Sequence, residues 1–302
     1  MQLWLTTSPG RCTTRRLVRL AKAAEYYGFH GLLVPAPAAG RGTVHIGQSG
    51  DEVWSTMAAI ARGTRRVRIG VLLQPAHLTS PIDVALAAAA VDRRSGGRLE
   101  LGLSAVRAGG GRSGSLLPPM LEGFTRLDET LAVLTGLWWT PDHERFTFTG
   151  RYHTVLNHPA VVTAQRPGPP LIVSGPGRRT TSYLAARWAN EVNVPFRGLD
   201  RTVRMFWDAD DARAHTERRT PGRTPLRHSA ALTAHHRPDG RPGDVSLELL
   251  ATLGQYQAIG AARVYLRLPD SAGARWLDLL ARHILPVFAG LRAPAACQPH
   301  SC

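Results

Sequence analysis

The stretch Pro170-Leu-Ile-Val-Ser-Gly-Pro-Gly-Arg-Arg-Thr180 carries, in order, the signals of a strand, a tight turn and a helix start. Residues 171–173 form a short apolar run bounded by Pro and Gly, which predicts a buried strand. Residues 180–189 are rich in helix formers, and Thr180 stands at the expected N-cap. A buried strand that leads directly into a helix is the repeating unit of α/β folds.

Gly175 and Gly177 suggest that the same turn could also bind a ligand. Glycines let backbone N–H groups approach a ligand closely at the positive end of a helix, and Arg178 and Arg179 add charge beside them. This geometry binds phosphate. A Gly-x-Gly before a helix is more often only a tight turn, so both interpretations stay open on this stretch alone.

Alternating strand and helix signals continue along the chain. We predict strands at residues 2–6, 31–35, 67–74, 99–103, 171–174, 191–194, 227–235 and 263–268. Helices are predicted at residues 13–27, 51–64, 81–94 and 274–288, and a further helix places on one face the residues Phe124, Leu127, Leu131, Leu134 and Trp138. Eight strands that alternate with helices predict a closed (β/α)8 TIM barrel of the α/β class.

The predicted barrel occupies residues 1–293 as one domain, and residues 294–302 are expected to form a disordered tail. A small hairpin at 146–153, turning at Gly150, lies outside the repeat. Segments 36–50, 104–119 and 218–224 are rich in Gly, Pro, Ser and Arg and are expected to be loops. The first two follow strands, so a barrel places these insertion loops at its C-terminal rim, where sites are built.

The composition is that of a globular protein. The chain has 302 residues, of which 43% are hydrophobic, and no run approaches the roughly 18 apolar residues of a membrane helix. No basic segment followed by an apolar one begins the chain, so no secretory signal is visible. Cys12, Cys297 and Cys302 form no Cys-x-x-Cys motif and no disulfide framework. These observations predict a cytoplasmic protein.

The formal net charge is +15, and Lys22 is the only lysine. The arginines are spread along the whole chain, and no helix-turn-helix, zinc-finger or RNP-type motif accompanies them. A nucleic-acid partner is therefore not expected. Two explanations of the charge stay open: a GC-rich genome, which favours Arg over Lys, or an anionic small ligand.

Several further segments are informative together: 23–29 (AAEYYGF), 58–70 (AAIARGTRRVRIG), 94–102 (RSGGRLELG), 148–152 (FTGRY) and 165–170 (QRPGPP). With the turn at Gly175 and Gly177, their order and spacing resemble the luciferase-like monooxygenase superfamily, in its deazaflavin (coenzyme F420)-dependent oxidoreductase branch. The resemblance runs from about residue 13 to residue 193, with a weaker echo in 260–286.

The resemblance implies that F420, or alternatively FMN, lies at the C-terminal mouth of the barrel. Its ring system is expected against a bulge in strand three at Leu72 and Leu73, where members often have a non-prolyl cis peptide. Its phosphate is expected on residues of the glycine turn, namely Gly175, Pro176, Gly177 and Arg178. Ser104 and Ala105, at the end of strand four, complete the expected cofactor contacts.

Two positions depart from the resemblance. Deazaflavin members commonly have Asp-His after strand two, where this chain has Pro35 and Ala36, and often a Glu after strand four, where the nearest equivalent is Arg107. Protonation of a substrate must therefore come from elsewhere or from solvent. The residues near the mouth that could substitute, and that we take as the candidate catalytic set, are His45, Gln74 and Arg107. For a loop histidine, a solvated position without a chemical role is the open alternative.

Three functional hypotheses follow. The first is an F420-dependent oxidoreductase that transfers hydride to an unsaturated or imine-type small substrate. The second is an FMN-dependent monooxygenase, and the third is a catalytically degenerate barrel that binds a cofactor or another protein. We expect a small-molecule substrate, no membrane and no metal, since no ligand spacing such as His-Glu-x-x-His occurs; a homodimer stays open.

Overall fold

The computed structural model describes residues 1–9, 12–36, 50–74, 80–104, 117–217, 224–234, 242–269 and 274–289. The predicted closed α/β barrel is confirmed. Its eight parallel strands are β1 (Gln2–Thr6), β2 (Gly31–Pro35), β3 (Arg68–Leu73), β4 (Leu99–Ser104), β7 (Leu171–Ser174), β8 (Glu191–Pro195), β9 (Arg227–Thr233) and β10 (Arg263–Arg267). They pair in the order β1-β10-β9-β8-β7-β4-β3-β2, and β2 closes the barrel on β1.

The helices of the described residues are α1 (Thr14–Tyr27), α2 (Gly50–Gly63), α3 (Pro81–Ser95), α4 (Leu117–Trp139), α5 (Arg178–Trp188), α6 (Leu199–Glu217), α7 (Pro242–Ala258), α8 (Ala274–His283) and α9 (Leu285–Ala289). An antiparallel hairpin, β5 (Arg145–Thr149) and β6 (Thr154–Pro159), lies outside the barrel as predicted. None of these helices combines the length and apolarity needed to cross a membrane. The tail predicted at 294–302 lies outside the described residues.

Capping residues fix where the helices begin and end. The Thr13 side chain accepts a hydrogen bond from the Arg16 N–H at 3.3 Å, and α1 ends at Gly28, whose φ of 86° is left-handed. Ser80 caps α3 in the same way, with Pro81 in the first helical position. Turn chemistry that is local in sequence therefore sets these boundaries.

Three sequence predictions are wrong in detail. Helix α5 begins at Arg178 with Gly177 as its N-cap, three residues before the expected cap at Thr180. The predicted last helix is divided into α8 and α9. Strand β3 has no bulge at Leu72 and Leu73, because it pairs in unbroken register with both neighbours and the pairing extends to the Ala36 N–H, 2.8 Å from the Leu72 carbonyl oxygen. The cis peptide found among the described residues is Arg166–Pro167, so the peptide joining Leu72 and Leu73 is trans.

A buried ionic cluster fills the lumen at the N-terminal end of the strands. The Arg263 guanidinium contacts the Glu100 carboxylate at 2.5 Å and the Glu191 carboxylate at 2.9 Å, and all three side chains are at most 2% exposed. The Tyr265 hydroxyl donates to Glu191 Oε1 at 2.6 Å. Arg68 contacts Glu100 from the side at 2.5 Å. Each buried charge therefore has a partner of opposite sign.

Trp4 covers this ionic cluster and separates it from the rest of the lumen. Its ring lies 4.1 Å from the Arg263 guanidinium carbon and meets the Tyr265 ring edge-on at 5.6 Å. The neighbouring strand makes room for it at Gly31, where an added Cβ would lie 2.5 Å from the Trp4 ring. Gly31 is therefore required by the close approach of the indole to the strand.

We predict that Arg263→Met lowers the free energy of unfolding by about 3–5 kcal/mol at neutral pH, since it leaves two buried carboxylates without their shared partner. Burial alone raises the pKa of Glu100, but the charges and hydrogen bonds of Arg263 and Arg68 outweigh it and hold that pKa below its ordinary value. The stability that this carboxylate contributes is therefore present above its unfolded pKa, near 4.3, and is lost as the pH falls through its folded pKa.

Urea denaturation of the wild type and the variant between pH 7 and pH 3 measures both effects. The control is Arg282→Met, which removes an exposed arginine paired with Asp278 on α8 and should change stability by at most about 0.5 kcal/mol. Equal stability of Arg263→Met and the wild type at pH 7 would contradict the prediction.

Candidate functional site

The C-terminal mouth of the barrel is lined by residues that follow the lumen-facing positions of each strand. Leu72 packs against the cluster inside the barrel that includes Trp4 and Tyr265. Because side chains alternate along a strand, Gln74 and Arg267, two residues beyond Leu72 and Tyr265, face the same lumen at its mouth. Leu73 points the other way, into the core between strands and helices. The structure thus brings Leu72, but not the Leu73 side chain, to the predicted ring site.

Gln74 directly follows β3 and is 8% exposed. Its Oε1 is buried and has no hydrogen-bond partner among the described residues. A buried acceptor without a donor is costly, and native structures rarely keep one without a reason. The predicted site residue Gln74 therefore presents an acceptor that suits an N–H group of a ligand at the mouth.

The other predicted residues near this point divide into two groups. Ser104, the last residue of β4, is buried at the mouth and stands beside Ser174 in the strand pairing. Ala105, Arg107 and His45 lie outside the described residues, so their roles stay predictions.

A ladder of buried polar side chains crosses the lumen from Ser229 on β9 to Ser174 at the mouth end of β7. The Ser174 hydroxyl donates to Asn193 Oδ1 at 2.9 Å, and Asn193 Nδ2 donates to the Ser229 hydroxyl at 3.0 Å. The Gly175 N–H donates to the Asn193 carbonyl oxygen at 3.2 Å, which joins the glycine turn to the ladder. The sequence signal for these residues is that each is a polar residue within a predicted strand of the barrel, at a position facing the lumen.

The glycine turn itself is surrounded by hydroxyl groups. Gly177 caps α5 without a side-chain hydrogen bond, and a Cβ added there would lie 2.5 Å from Thr180 Oγ1 and 3.6 Å from Thr181 Oγ1. Thr181 is fully buried, and its Oγ1 has no hydrogen-bond partner among the described residues. Backbone N–H groups of a first helical turn together with two hydroxyls form an arrangement suited to a phosphate.

Arginines border this turn, but Arg178 is already engaged. Its Nε and Nη2 donate to the Asp208 carboxylate on α6 at 2.7 and 2.9 Å, and this hydrogen-bonded pair raises the pKa of Arg178. Arg201 Nη2 donates to the Pro176 carbonyl oxygen at 3.0 Å and so braces the turn from α6. A phosphate at the turn would have to share Arg178 with Asp208, and the predicted contact stays a prediction.

A cleft adjoins the mouth where β1 and β2 end and α1 and α2 begin. It encloses about 450 Å³, part of it open to solvent, and its lining includes Thr7, Cys12, Pro35, Ala36, Glu52 and Thr56. Glu52 Oε2 is buried and has no hydrogen-bond partner among the described residues. The cleft at Pro35 and Ala36, where the resemblance leads one to expect Asp-His, therefore contains a carboxyl group from α2 instead. Across the described residues, no three His, Cys, Asp or Glu side chains are grouped to bind a metal.

Residues 2–266 match the family described as luciferase-like monooxygenase. The chain belongs to this family. The match covers nearly the whole barrel, which confirms the resemblance drawn from the shorter segments.

Individual relatives are more distant. The chain is 29% identical over 133 residues to an F420-dependent glucose-6-phosphate dehydrogenase of Amycolatopsis mediterranei, a match that spans 42% of this chain and 39% of the relative. The chain thus matches about two fifths of that relative's length.

Solved structures of the same fold include an F420-dependent secondary alcohol dehydrogenase in complex with an F420-acetone adduct, with a TM-score of 0.74 and 16% identity over 95% of this chain and 98% of that one. The FMN-bound oxygenating constituent of 3,6-diketocamphane monooxygenase from Pseudomonas putida has a TM-score of 0.68 and 15% identity, over 97% and 99% of the two chains. At these identities the likeness shows the fold alone.

We predict that Gly177→Ala weakens binding of the cofactor at least about tenfold, because the added methyl group displaces the Thr180 hydroxyl from the turn and removes contacts to a phosphate worth about 1.5–3 kcal/mol. The matched control is Gly123→Ala on α4, where an added Cβ meets nothing within 4 Å. Fluorescence titration with F420 and with FMN measures both variants. Unchanged affinity in Gly177→Ala would remove this turn from the site.

Proposed function

We propose that this protein is an F420-dependent oxidoreductase that reduces an unsaturated or imine-type small molecule. The observation that carries the proposal is the glycine turn between β7 and α5, where the N–H groups of the first helical turn lie beside Thr180 and the hydroxyl of Thr181, unpaired among the described residues, an arrangement suited to a phosphate. The turn opens on the same mouth as the unpaired Gln74 acceptor. A phosphate site and an acceptor at one barrel mouth suit a phosphorylated heterocyclic cofactor.

The preference for F420 over FMN rests on charge. F420 has an acidic oligoglutamate tail in addition to its phosphate, whereas FMN ends at the phosphate. The exposed residues Arg179 and Arg201 lie in the first turns of α5 and α6, beside the glycine turn. Arginine binds carboxylates through two parallel hydrogen bonds, so this rim suits a polyanionic tail. The similarity to F420-dependent relatives supports the same choice.

Different residues of the mouth would contact different parts of the cofactor. Gln74 would accept a hydrogen bond from the ring system, Leu72 would pack against it, and the turn at Gly177 would hold the phosphate. When bound, reduced F420 supplies a hydride. Transfer of a hydride needs donor and acceptor carbons held about 3–3.5 Å apart, and such positioning supplies much of the rate acceleration. The rigid polar ladder of Ser174, Asn193 and Ser229 keeps the turn in place for this purpose.

The proton that completes the reduction is assigned to Glu52. Its carboxyl group lies in the cleft beside Pro35 and Ala36, and one of its oxygens is buried without a partner among the described residues. A carboxyl oxygen that no described residue engages is available to a substrate. Glu52 thus takes the place of the Asp-His that this chain lacks.

Cofactor titration tests the proposed function directly. We expect F420 to bind at least about tenfold more tightly than FMN, since the acidic tail adds charge-assisted contacts. The deazaflavin chromophore without phosphate and tail, used as a control, should bind more weakly than F420. Tighter binding of FMN would favour an FMN-dependent monooxygenase, and binding of neither cofactor would favour a degenerate interaction barrel.

A second prediction concerns Glu52→Gln. Removal of a general acid typically lowers turnover about 10²- to 10⁴-fold, and we expect a loss in that range with F420 affinity unchanged. The matched control is Glu122→Gln, an exposed residue on α4 that pairs with Arg126. Stopped-flow oxidation of reduced F420 by a panel of unsaturated and imine substrates measures the rates. Full activity of Glu52→Gln would show that solvent supplies the proton.

A further inference from the structure

Arg267 ends β10 and faces the mouth of the barrel, in line with the lumen residues Arg263 and Tyr265. Its Nη2 donates to the Thr233 hydroxyl on β9 at 2.7 Å, and its guanidinium carbon lies 4.0 Å from the centre of the Phe196 ring. The side chain is partly buried. These two contacts fix the plane of the guanidinium group without pairing it with a carboxylate.

Arg267 differs in this respect from the arginine at the other end of the same strand. Arg263 contacts two carboxylates, whereas no carboxylate of the described residues lies within ion-pair distance of Arg267. Its neighbour in the strand pairing on each side is a threonine, Thr6 on β1 and Thr233 on β9. A partly buried positive charge whose neighbours among the described residues are neutral favours an anion at this place.

Phe196, which orients Arg267, is itself held in an unusual conformation. It follows β8, its φ is 51°, and its N–H donates to the Ala231 carbonyl oxygen at 2.8 Å. A bulky residue rarely adopts this left-handed backbone, and such residues cluster at functional sites. The side chain remains 43% exposed at the mouth. The protein therefore keeps an aromatic ring in place beneath the arginine rather than in its core.

The position of Arg267 separates it from the cofactor contacts proposed above. In the barrel order, β10 lies three strands from β7, which leads into the glycine turn, and three strands from β3, which leads into Gln74. The cofactor contacts and Arg267 therefore border different sectors of the mouth. A group bound at Arg267 would approach a ring held by Gln74 from across the mouth.

We propose that Arg267, stacked on Phe196 and hydrogen-bonded to Thr233, is a binding subsite for the carboxylate or phosphate group of the substrate. The planar guanidinium group offers parallel N–H donors that match either anion. The inference rests on the proposed function, because it assigns the remaining sector of the mouth to the substrate. It narrows the substrate class to unsaturated or imine compounds that carry an anionic group.

Calorimetric titration of the F420-saturated protein with inorganic phosphate and with acetate tests the subsite. We expect Arg267→Met to lower the affinity for both anions at least tenfold. Arg267→Lys, which keeps the charge but loses the planar stack on Phe196, should give an intermediate loss. The matched control is Arg19→Met, an exposed arginine on α1, which should bind both anions as the wild type does. Wild-type affinity in Arg267→Met would overturn the proposal.

Two further titrations identify the source of the anion. If Arg267→Met weakens binding of F420 but not of the chromophore without phosphate and tail, Arg267 serves the cofactor, and the assignment to substrate is wrong. If the wild type does not bind F420, the proposed function fails by itself. The subsite is then tested without cofactor in the Gly177→Ala background, where phosphate affinity should still depend on Arg267; its independence there would overturn the proposal.

Discussion

The pairing of Arg263 with Glu100 and Glu191 is the interaction on which the rest of the barrel depends. It joins three strands, β10, β4 and β8, across the lumen rather than along its wall. Breaking a buried ion pair is far more costly than forming it is favourable, so these side chains fix how the strands are staggered more than they add net stability. Trp4 lies directly above, and Gly31 leaves the space that its ring needs. One end of the lumen is thereby filled and electrically balanced.

Toward the opposite end of the lumen, neutral polar side chains replace the charged ones. Between the ionic cluster and the end of β7 the filling changes from charged to neutral polar groups, with the Ser229, Asn193 and Ser174 side chains bonded to one another. This ladder of neutral side chains connects β7, β8 and β9. It is joined to the glycine turn by the hydrogen bond from the Gly175 N–H to Asn193. Within the ionic cluster and within the polar ladder, the side chains satisfy one another's charges and hydrogen bonds. The polar groups of the rim residues therefore remain available to a ligand. Precise placement of such groups is what catalysis by positioning requires.

The sequence was sufficient for the strands and for most helices, because apolar runs, Pro and Gly are local signals. It was insufficient where an outcome depends on register. Glu100, Glu191 and Arg263 sit inside apolar strands, and their pairing across the lumen follows from how eight strands are staggered, which no single strand encodes. The hydrogen bonds of Asn193 to Ser174 and Ser229 could not be predicted for the same reason, because they too depend on how neighbouring strands are aligned. The bulge expected at Leu72 came from family resemblance, and the continuous pairing of β3 with both neighbours overrides it. At α5, Gly177 caps the helix although Thr180 is the better capping residue by type, so residue preference alone misplaces the start of this helix.

The distribution of unpaired groups argues that the mouth is completed by ligands. Three buried oxygens lack a partner among the described residues, on Glu52, Gln74 and Thr181, and each follows the C-terminal end of a barrel strand. Arg267, whose charge no described carboxylate balances, belongs to the same end. At the floor, by contrast, every charge is paired. The unpaired oxygens of Glu52, Gln74 and Thr181 can accept hydrogen bonds, and Arg267 can bind an anion. Together they suit a ligand that has N–H donors and a negative charge.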